Sequence, residues 1–480
     1  MDGANKPQAN FIAGQWVTSK KVLDNIDPAT GAVFAQVCLA SVADVDKSAA
    51  AARKVHEART LIDMAPAERG RLLLRIASEL NALRTDGAKL LTRESGKRLS
   101  DAHGEFDEAI RYFEYYAGLC DKLEGRSIPL GSSYVDYTVH VPYGVTAHIV
   151  PWNFPLSIAA RSLAPALATA NCAVVKVPEL APMAAMLLGN ACKAAGVLDG
   201  AVSILCGSGT EVGEALTLHE DVNQVVFTGS VPVGQRVLKN LSKRIVPAVT
   251  ELGGKSAAVV TVDADLNKVV DSVFWGIFFN AGQVCSAMSR LIVPRAMQAK
   301  IVALILAKIN TLSIGDGLSD RDVTPLISQL QVDRVMAKIE QGIREGATLK
   351  CGGVRLNRDG FFIAPTVFAD VDGDMEIGRE EVFGPVLVIQ PYDTEAEALA
   401  LANGTEYGLC AGVFSQDIDK IGWFTDRLIA GQIYVNEWYV GGIETPFGGM
   451  KMSGSGRDKG HEAIYNHLQT KNVAIKLSSS

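Results

Sequence analysis

Cys285 stands in the stretch FFNAGQVCSA, residues 278–287, directly after the apolar run DSVFWGIFF. A nucleophilic thiol needs thiolate character and access. The small residues around Cys285 supply access, and the lack of a neighbouring histidine speaks against a papain-like hydrolase. A helix N-terminus at Cys285, or a positively charged ring bound beside it, would lower the thiol pKa instead. Glu251 ends the apolar stretch AVTE just ahead of Gly253 and Gly254. A carboxylate half-buried there has a raised pKa and suits a general base. Asn153 lies between Pro151 and Pro155 in PWNFP, a constrained loop from which a side-chain amide can donate to an oxyanion. Each has a plainer reading when taken alone: a buried structural thiol, a strand-end glutamate facing water, a turn asparagine.

Two glycine-bearing turns follow expected strands. CGSGTEVG carries Gly207, Gly209 and Gly213, one residue wider than the dinucleotide fingerprint, and FTGSVPVG carries Gly229, Ser230 and Gly234. Backbone amides at such helix starts suit a pyrophosphate. VVKVPE ends a buried strand with Lys176 and Glu179 close behind, where a carboxylate can accept from ribose hydroxyls. After PWNFP, helical spacing puts Phe154, Ile158 and Arg161 on one face.

The elements that position these residues read as an α/β protein. Helical periodicity runs from Ser48 to Tyr116, and alternation through Tyr134, Val135, Tyr137, Val139 and Val141 predicts one long strand followed by a buried one. Between about Val145 and Val260, apolar runs alternate with helical stretches, which predicts a parallel, doubly wound sheet. A second α/β series begins at Arg290, with helices expected over 296–310 and 394–403. At 480 residues the chain is long enough for two or three domains. Its net charge of −7 and the absence of a basic stripe disfavour a nucleic-acid partner. The N-terminal stretch has no secretory pattern and no apolar run reaches membrane-spanning length, so the expectation is a cytoplasmic protein without a membrane partner. Eight scattered cysteines, without a CxxC pair, indicate neither a zinc site nor a disulfide framework.

In order and separation, PWNFP, VVKVPE, FTGS, ELGGKS, FNAGQVC, EEVFGPV and PFGGMKMSGSGRDKG resemble the NAD(P)-dependent aldehyde dehydrogenase superfamily over essentially the whole chain. The resemblance implies a Rossmann-like NAD-binding domain at 1–122 and 142–252, an α/β catalytic domain at 253–450, and a β-strand oligomerisation arm at 123–141 and 451–480. An exposed strand edge in the arm would pair subunits into a homodimer or homotetramer.

By the same resemblance, Cys285 attacks the carbonyl of a small-molecule aldehyde, the Asn153 amide and the Cys285 N–H hold the oxyanion, and hydride passes to the nicotinamide. Glu251 then activates the water that hydrolyses the thioester, which separates this chain from the CoA-acylating branch. The implied cofactor contacts are Trp152, Lys176, Glu179, Gly209, Gly229, Ser230, Glu381 and Phe383. Glu179 favours NAD over NADP, since a carboxylate repels a 2′-phosphate. The implied substrate lining is Phe154, Ile158, Arg161, Phe279, Glu444 and Phe447, with Trp438 and Tyr439 close by in sequence. Arg161 resembles the arginine of members that take acidic or hydroxylated aldehydes, such as a semialdehyde; pairing with Glu444 is the alternative. An NAD-independent thiol esterase and a non-catalytic binding protein on the same fold are the other readings.

Overall fold

The computed structural model describes residues 6–478; the outermost residues of the expected first and last segments, 1–5 and 479–480, lie outside it. Two open α/β sheets dominate the chain. The first has eight strands, and its five central ones are parallel. Across the sheet they run Val202–Cys206, Cys172–Val177, Val145–Ile149, Gln224–Thr228, Ala248–Glu251. Val145–Ile149 comes first in the chain, so the order is 3-2-1-4-5, and the winding reverses between it and Gln224–Thr228. In such sheets ligands bind at that reversal, beyond the carboxyl ends of the strands.

The second sheet has seven strands. Thr366–Ala369, Val386–Tyr392, Arg290–Pro294, Ala257–Val260, Cys410–Phe414 and Gln432–Val435 are parallel, and Thr348–Cys351 closes one edge antiparallel. Val145–Ile149 and Cys172–Val177 are buried along their whole length, as a sheet covered on both faces requires. The expected helices appear at Gln298–Ile309 and Glu395–Asn403.

Leu468–Lys476, Tyr134–Pro142 and Ser127–Ile128 form a separate antiparallel sheet. The long strand expected from alternation is present, with its polarity turned outward: Asp136 and Thr138 are buried while Tyr134, Val135 and Tyr137 are exposed. The expected arm segment 451–480 divides. Its early part, Gly454–Ser455, pairs with Ala248–Glu251 at the edge of the first sheet, and only the later part joins Tyr134–Pro142. Among the described residues no helix is long and apolar enough to cross a membrane.

Two helices of the first unit begin without a side-chain cap of their own. Pro155–Ala168, buried at every position, opens with proline at its first turn. Its free amides at Leu156 and Ser157 donate to Glu105, which comes from the neighbouring helix Leu99–Ala117. Glu94 serves Met183 and Ala184 at the start of Met183–Ala194 in the same way. A carboxylate at a helix N-terminus satisfies amides that would otherwise be buried without partners.

Candidate active site

The carboxyl ends of the central strands lead directly into the residues singled out above. Ile149 runs into Trp152 and Asn153, Thr228 into Gly229 and Ser230, Val177 into Glu179, and Glu251 ends its own strand. A cavity of about 590 Å³ opens there, with Asn153, Phe154, Ile158, Arg161, Phe279, Cys285 and Phe447 in its wall.

Cys285 sits in a turn between the short helical segment Phe279–Gly282 and the strand Arg290–Pro294, not at a helix N-terminus. The approach is tightly wound: Asn280, Ala281 and Gly282 have φ of 48°, 52° and 73°. Left-handed backbone at Ala281 is strained, and it persists here because packing over-determines it. A Cβ on Gly282 would lie 2.1 Å from the Gly384 carbonyl oxygen. The thiol is partly exposed. Burial pushes its pKa up to about 12, with the Arg161 guanidinium pulling the other way. The expected lowering by a helix terminus is therefore not built in.

The two glycines of ELGGKS couple three segments. A Cβ on Gly254 would fall 2.6 Å from the Cys285 carbonyl oxygen, and one on Gly253 would fall 2.4 Å from a Glu381 carboxylate oxygen. Glu381 also accepts from the Gly254 N–H at 3.1 Å. Glu251 just before them is 2% exposed, and neither carboxylate oxygen has a hydrogen-bond partner among the described residues. Burial, reinforced by Asp458, raises its pKa well above the ordinary value, with Arg161 and Arg457 opposing.

Arg161 does not pair with Glu444. Its Nε lies 2.8 Å from an Asp458 carboxylate oxygen, both side chains nearly buried, while Glu444 pairs with Arg111 at 2.6 Å on the surface. The path of the 439–460 loop decides this, turning Asp458 inward and Glu444 out. Burial works against the Arg161 charge, but Asp458, Tyr112 and Glu251 outweigh it and hold the guanidinium pKa above its usual value. Phe447 lies under the same guanidinium at 5.4 Å. Glu444 is absent from the cavity wall, and Tyr112, Tyr434 and Tyr439 join it. Phe154 stacks on Phe279 at 5.8 Å and Tyr439 meets Phe279 edge-on at 6.0 Å, so one part of the wall is aromatic, while Asp101, Asp107, Glu108, Arg111 and Lys459 line another part. Trp438 lies behind the aromatic part, donating to the Ser286 carbonyl.

Of the residues expected to meet the cofactor, Trp152 and Phe383 contact each other edge to face at 5.3 Å. Lys176 donates to Glu179 at 2.8 Å, and Glu179 accepts from the Gly209 N–H at 3.0 Å. That amide is thus already capped. The helix Val231–Leu241, whose N-cap is Ser230, has no side-chain cap, so its first amides are free for a phosphate. Gly229 packs so closely that a Cβ would lie 2.6 Å from the Phe227 ring. The uncapped helix start, the Glu179 carboxylate beyond the end of its strand and the buried Glu381 carboxylate form a set of donors and acceptors that fits a dinucleotide.

The family profile described as "Aldehyde dehydrogenase family" matches residues 16–473. The chain belongs to the aldehyde dehydrogenase family. A putative aldehyde dehydrogenase, DhaS, of Bacillus subtilis (strain 168) is 39% identical over 471 residues, covering 97% of this chain and 95% of that protein. The solved NAD+ complex of a Bacillus cereus aldehyde dehydrogenase superposes with a TM-score of 0.97 at 36% identity, covering 99% and 98% of the two chains. A betaine aldehyde dehydrogenase of Staphylococcus aureus, in complex with NAD+, gives 0.97 at 33% identity, covering 99% and 96%.

Several residues of this dehydrogenase's site escaped the sequence reading: Asp458, Tyr112, Tyr434, and the buried pair Lys97 and Glu105. Glu105 had a readable signal. It lies on the same helical stripe as Ala102, Phe106, Ala109 and Phe113, where an acidic residue must find partners inside.

Proposed function

We propose that the enzyme oxidises an apolar, largely aromatic or aliphatic aldehyde to its carboxylic acid with NAD+, Cys285 acting as nucleophile, Asn153 as oxyanion donor and Glu251 as base. The observation that carries the reading is the buried, unpartnered carboxylate of Glu251 at the end of its strand, packed against Gly448, next to Phe447 of the cavity wall in which Cys285 and Asn153 also stand. Once deprotonated, a carboxylate with no internal partner is free to take a proton from water.

Cys285 releases its proton to water and adds as the thiolate to the aldehyde carbon, and the carbonyl oxygen becomes an oxyanion held by the Asn153 amide and the Cys285 N–H. NAD+ supplies the hydride acceptor when bound. Trp152, Phe383 and Glu381 would border the nicotinamide end, and the amides after Ser230 would hold phosphate. With the thioester formed, Glu251 removes a proton from water as it attacks the acyl carbon, and the thiolate leaves. Covalent capture fixes the reacting carbon, so much of the orientation cost is met before the transfer.

The substrate class rests on the neutralised Arg161 and the aromatic part of the wall. The semialdehyde alternative would need a free guanidinium. Preference for NAD over NADP is supported by Glu179, whose carboxylate repels a 2′-phosphate. Association into a homodimer or homotetramer is supported by the exposed Tyr134, Val135, Tyr137 and Ile475 of the three-stranded sheet, and a cytoplasmic setting by eight free cysteines.

The test is NADH formation with aryl, alkyl, hydroxy and dicarboxylic semialdehydes, with NAD+ and NADP+ in parallel, on wild type and Cys285→Ala. Turnover of aryl or alkyl aldehydes that needs NAD+ and vanishes in the variant supports the reading. A best rate with succinic semialdehyde overturns the substrate class, and NAD-independent ester cleavage as the only activity overturns the chemistry.

A further inference from the structure

Lys97 and Glu105 are 0% and 1% exposed at their side chains and form an ion pair inside the first unit. The Lys97 ammonium also donates to the backbone carbonyl of Asn153 at 2.9 Å and lies 4.2 Å over the Phe154 ring. Glu105 accepts from the N–H groups of Leu156 and Ser157 at 2.9 and 3.1 Å. One ion pair therefore touches every residue from 153 to 157 except Pro155. From the nucleophile segment, Asn280 donates to the same Asn153 carbonyl at 3.3 Å, and the Asn153 amide donates to the Gln283 carbonyl at 3.1 Å.

Capping the helix Pro155–Ala168 needs only Glu105. The Asn153 carbonyl has Asn280 as a donor already, so the ammonium is not required to keep it satisfied. A buried ion pair is also a weak source of net stability, because desolvation consumes most of its Coulombic gain. What Lys97 adds is direction: it is a second, shorter donor to the Asn153 carbonyl beside Asn280, and together they hold the backbone of residue 153 in place.

We infer that Lys97, held by Glu105, is a positioning residue for the oxyanion donor. The inference rests on the reading of Asn153 as that donor. The pair sets the Asn153 backbone, the backbone sets the amide, and the amide must sit within hydrogen-bond distance of the developing oxyanion rather than of the ground-state carbonyl. Displacements of about 1 Å at such a group cost about 10²-fold in rate.

The experiment is a cycle on the full-length enzyme: Asn153→Ala, the pair Lys97→Met/Glu105→Gln, and all three together. Glutamine keeps an acceptor for Leu156 and Ser157 while both charges leave at once. The expected result is a kcat about 10²-fold lower for the pair variant, with KM for NAD+ unchanged and the triple variant no slower than Asn153→Ala. Non-additivity of this kind marks groups that act as one unit, and a merely structural loss would not produce it. A pair variant with wild-type kcat overturns the inference, as does a triple variant slowed by the full product of the two effects. Wild-type kcat in Asn153→Ala overturns the donor reading itself and the inference with it. Should the pair variant fail to fold, Lys97→Gln carries the same cycle with Asn153→Ala.

Discussion

The Arg161 guanidinium lies 2.8 Å from the Asp458 carboxylate, in the wall of the cavity that also holds Cys285. The Asp458 carboxylate offsets the guanidinium's charge, which weakens its pull on a substrate carboxylate. The enzyme is expected to turn over aryl and alkyl aldehydes with higher kcat/KM than dicarboxylic semialdehydes, measured side by side with NAD+. Arg161→Leu leaves Asp458 buried and unpaired, which costs about 3–5 kcal/mol in a denaturant melt. Glu444→Gln breaks only the exposed pair with Arg111 and is expected to shift stability by about 0–1 kcal/mol. A large loss of acid-substrate activity in Arg161→Leu at intact stability would restore Arg161 as a substrate reader.

Asn153 is expected to matter almost as much as the nucleophile. Removing one oxyanion donor costs about 10²–10³ in kcat, so Asn153→Ala should lose that much while KM for NAD+ holds. Steady-state kinetics of the purified variant decide it.

Glu251 gives the turnover its pH dependence. Burial and Asp458 raise its pKa, so the protonated form persists to higher pH than for an ordinary glutamate, and only the deprotonated form accepts a proton from water. Thioester hydrolysis is therefore expected to accelerate as pH rises through that raised pKa, above the range of an ordinary glutamate. In Glu251→Gln, rapid mixing is expected to show a stoichiometric burst of NADH and then a stall. Steady turnover at the wild-type rate without the carboxylate would remove Glu251 from the mechanism.

Gly254 leaves no room for a side chain, since a Cβ would meet the Cys285 carbonyl oxygen at 2.6 Å. Backbone cannot swing aside as a flexible side chain can. Gly254→Ala is expected to displace the nucleophile turn, lowering kcat about 10²-fold and stability by about 1–3 kcal/mol. Kinetics with a thermal melt of the same sample test both.

What could be read in the sequence was the chemistry carried by short contiguous segments. Cys285, Glu251 and Asn153 each sit in a stretch whose local composition signals a turn or strand end, and the strand rhythm between Val145 and Val260 reads directly as a parallel sheet. Pairings across the chain were a different matter. Arg161 finds Asp458 rather than Glu444 because a loop nearly 300 residues away turns at left-handed Tyr439 and Lys459, and no local pattern encodes which carboxylate that turn delivers. Of the two sources of thiolate stabilisation open in the sequence, a helix N-terminus is absent, because the left-handed residues Asn280, Ala281 and Gly282 lead into a turn at Cys285, which leaves the positively charged ring. Glu105 left a signal as an acidic residue on an apolar stripe, but Lys97 left none, and its target, the Asn153 carbonyl, is a backbone group that no side-chain pattern announces.

His148 and His467 stack at 6.0 Å where the first sheet meets the strand Leu468–Lys476. Both rings are buried and each leaves its Nδ1 without a partner; His148 Nε2 is 2.8 Å from the Thr146 hydroxyl. Burial lowers both pKa values, that of His467 from 6.5 to about 3, and His467 further disfavours charge on His148. A group whose folded pKa is depressed below its unfolded value contributes stability above the unfolded pKa and loses it as pH falls toward the folded one. As pH falls below 6.5 each histidine therefore favours the unfolded chain, which takes up the proton first, by up to about 1.4 kcal/mol per pH unit, and for His467 this continues down to about pH 3. The buried carboxyls with raised pKa values, Glu94, Glu105, Glu251 and Asp458, act in the opposite sense over their own ranges, so the comparison must be with a variant and not with neutral pH alone. Chemical melts of wild type and His467→Gln from neutral to mildly acidic pH isolate the term. The wild type is expected to lose stability faster on acidification, and parallel curves would mean that His467 already carries its proton in the folded state.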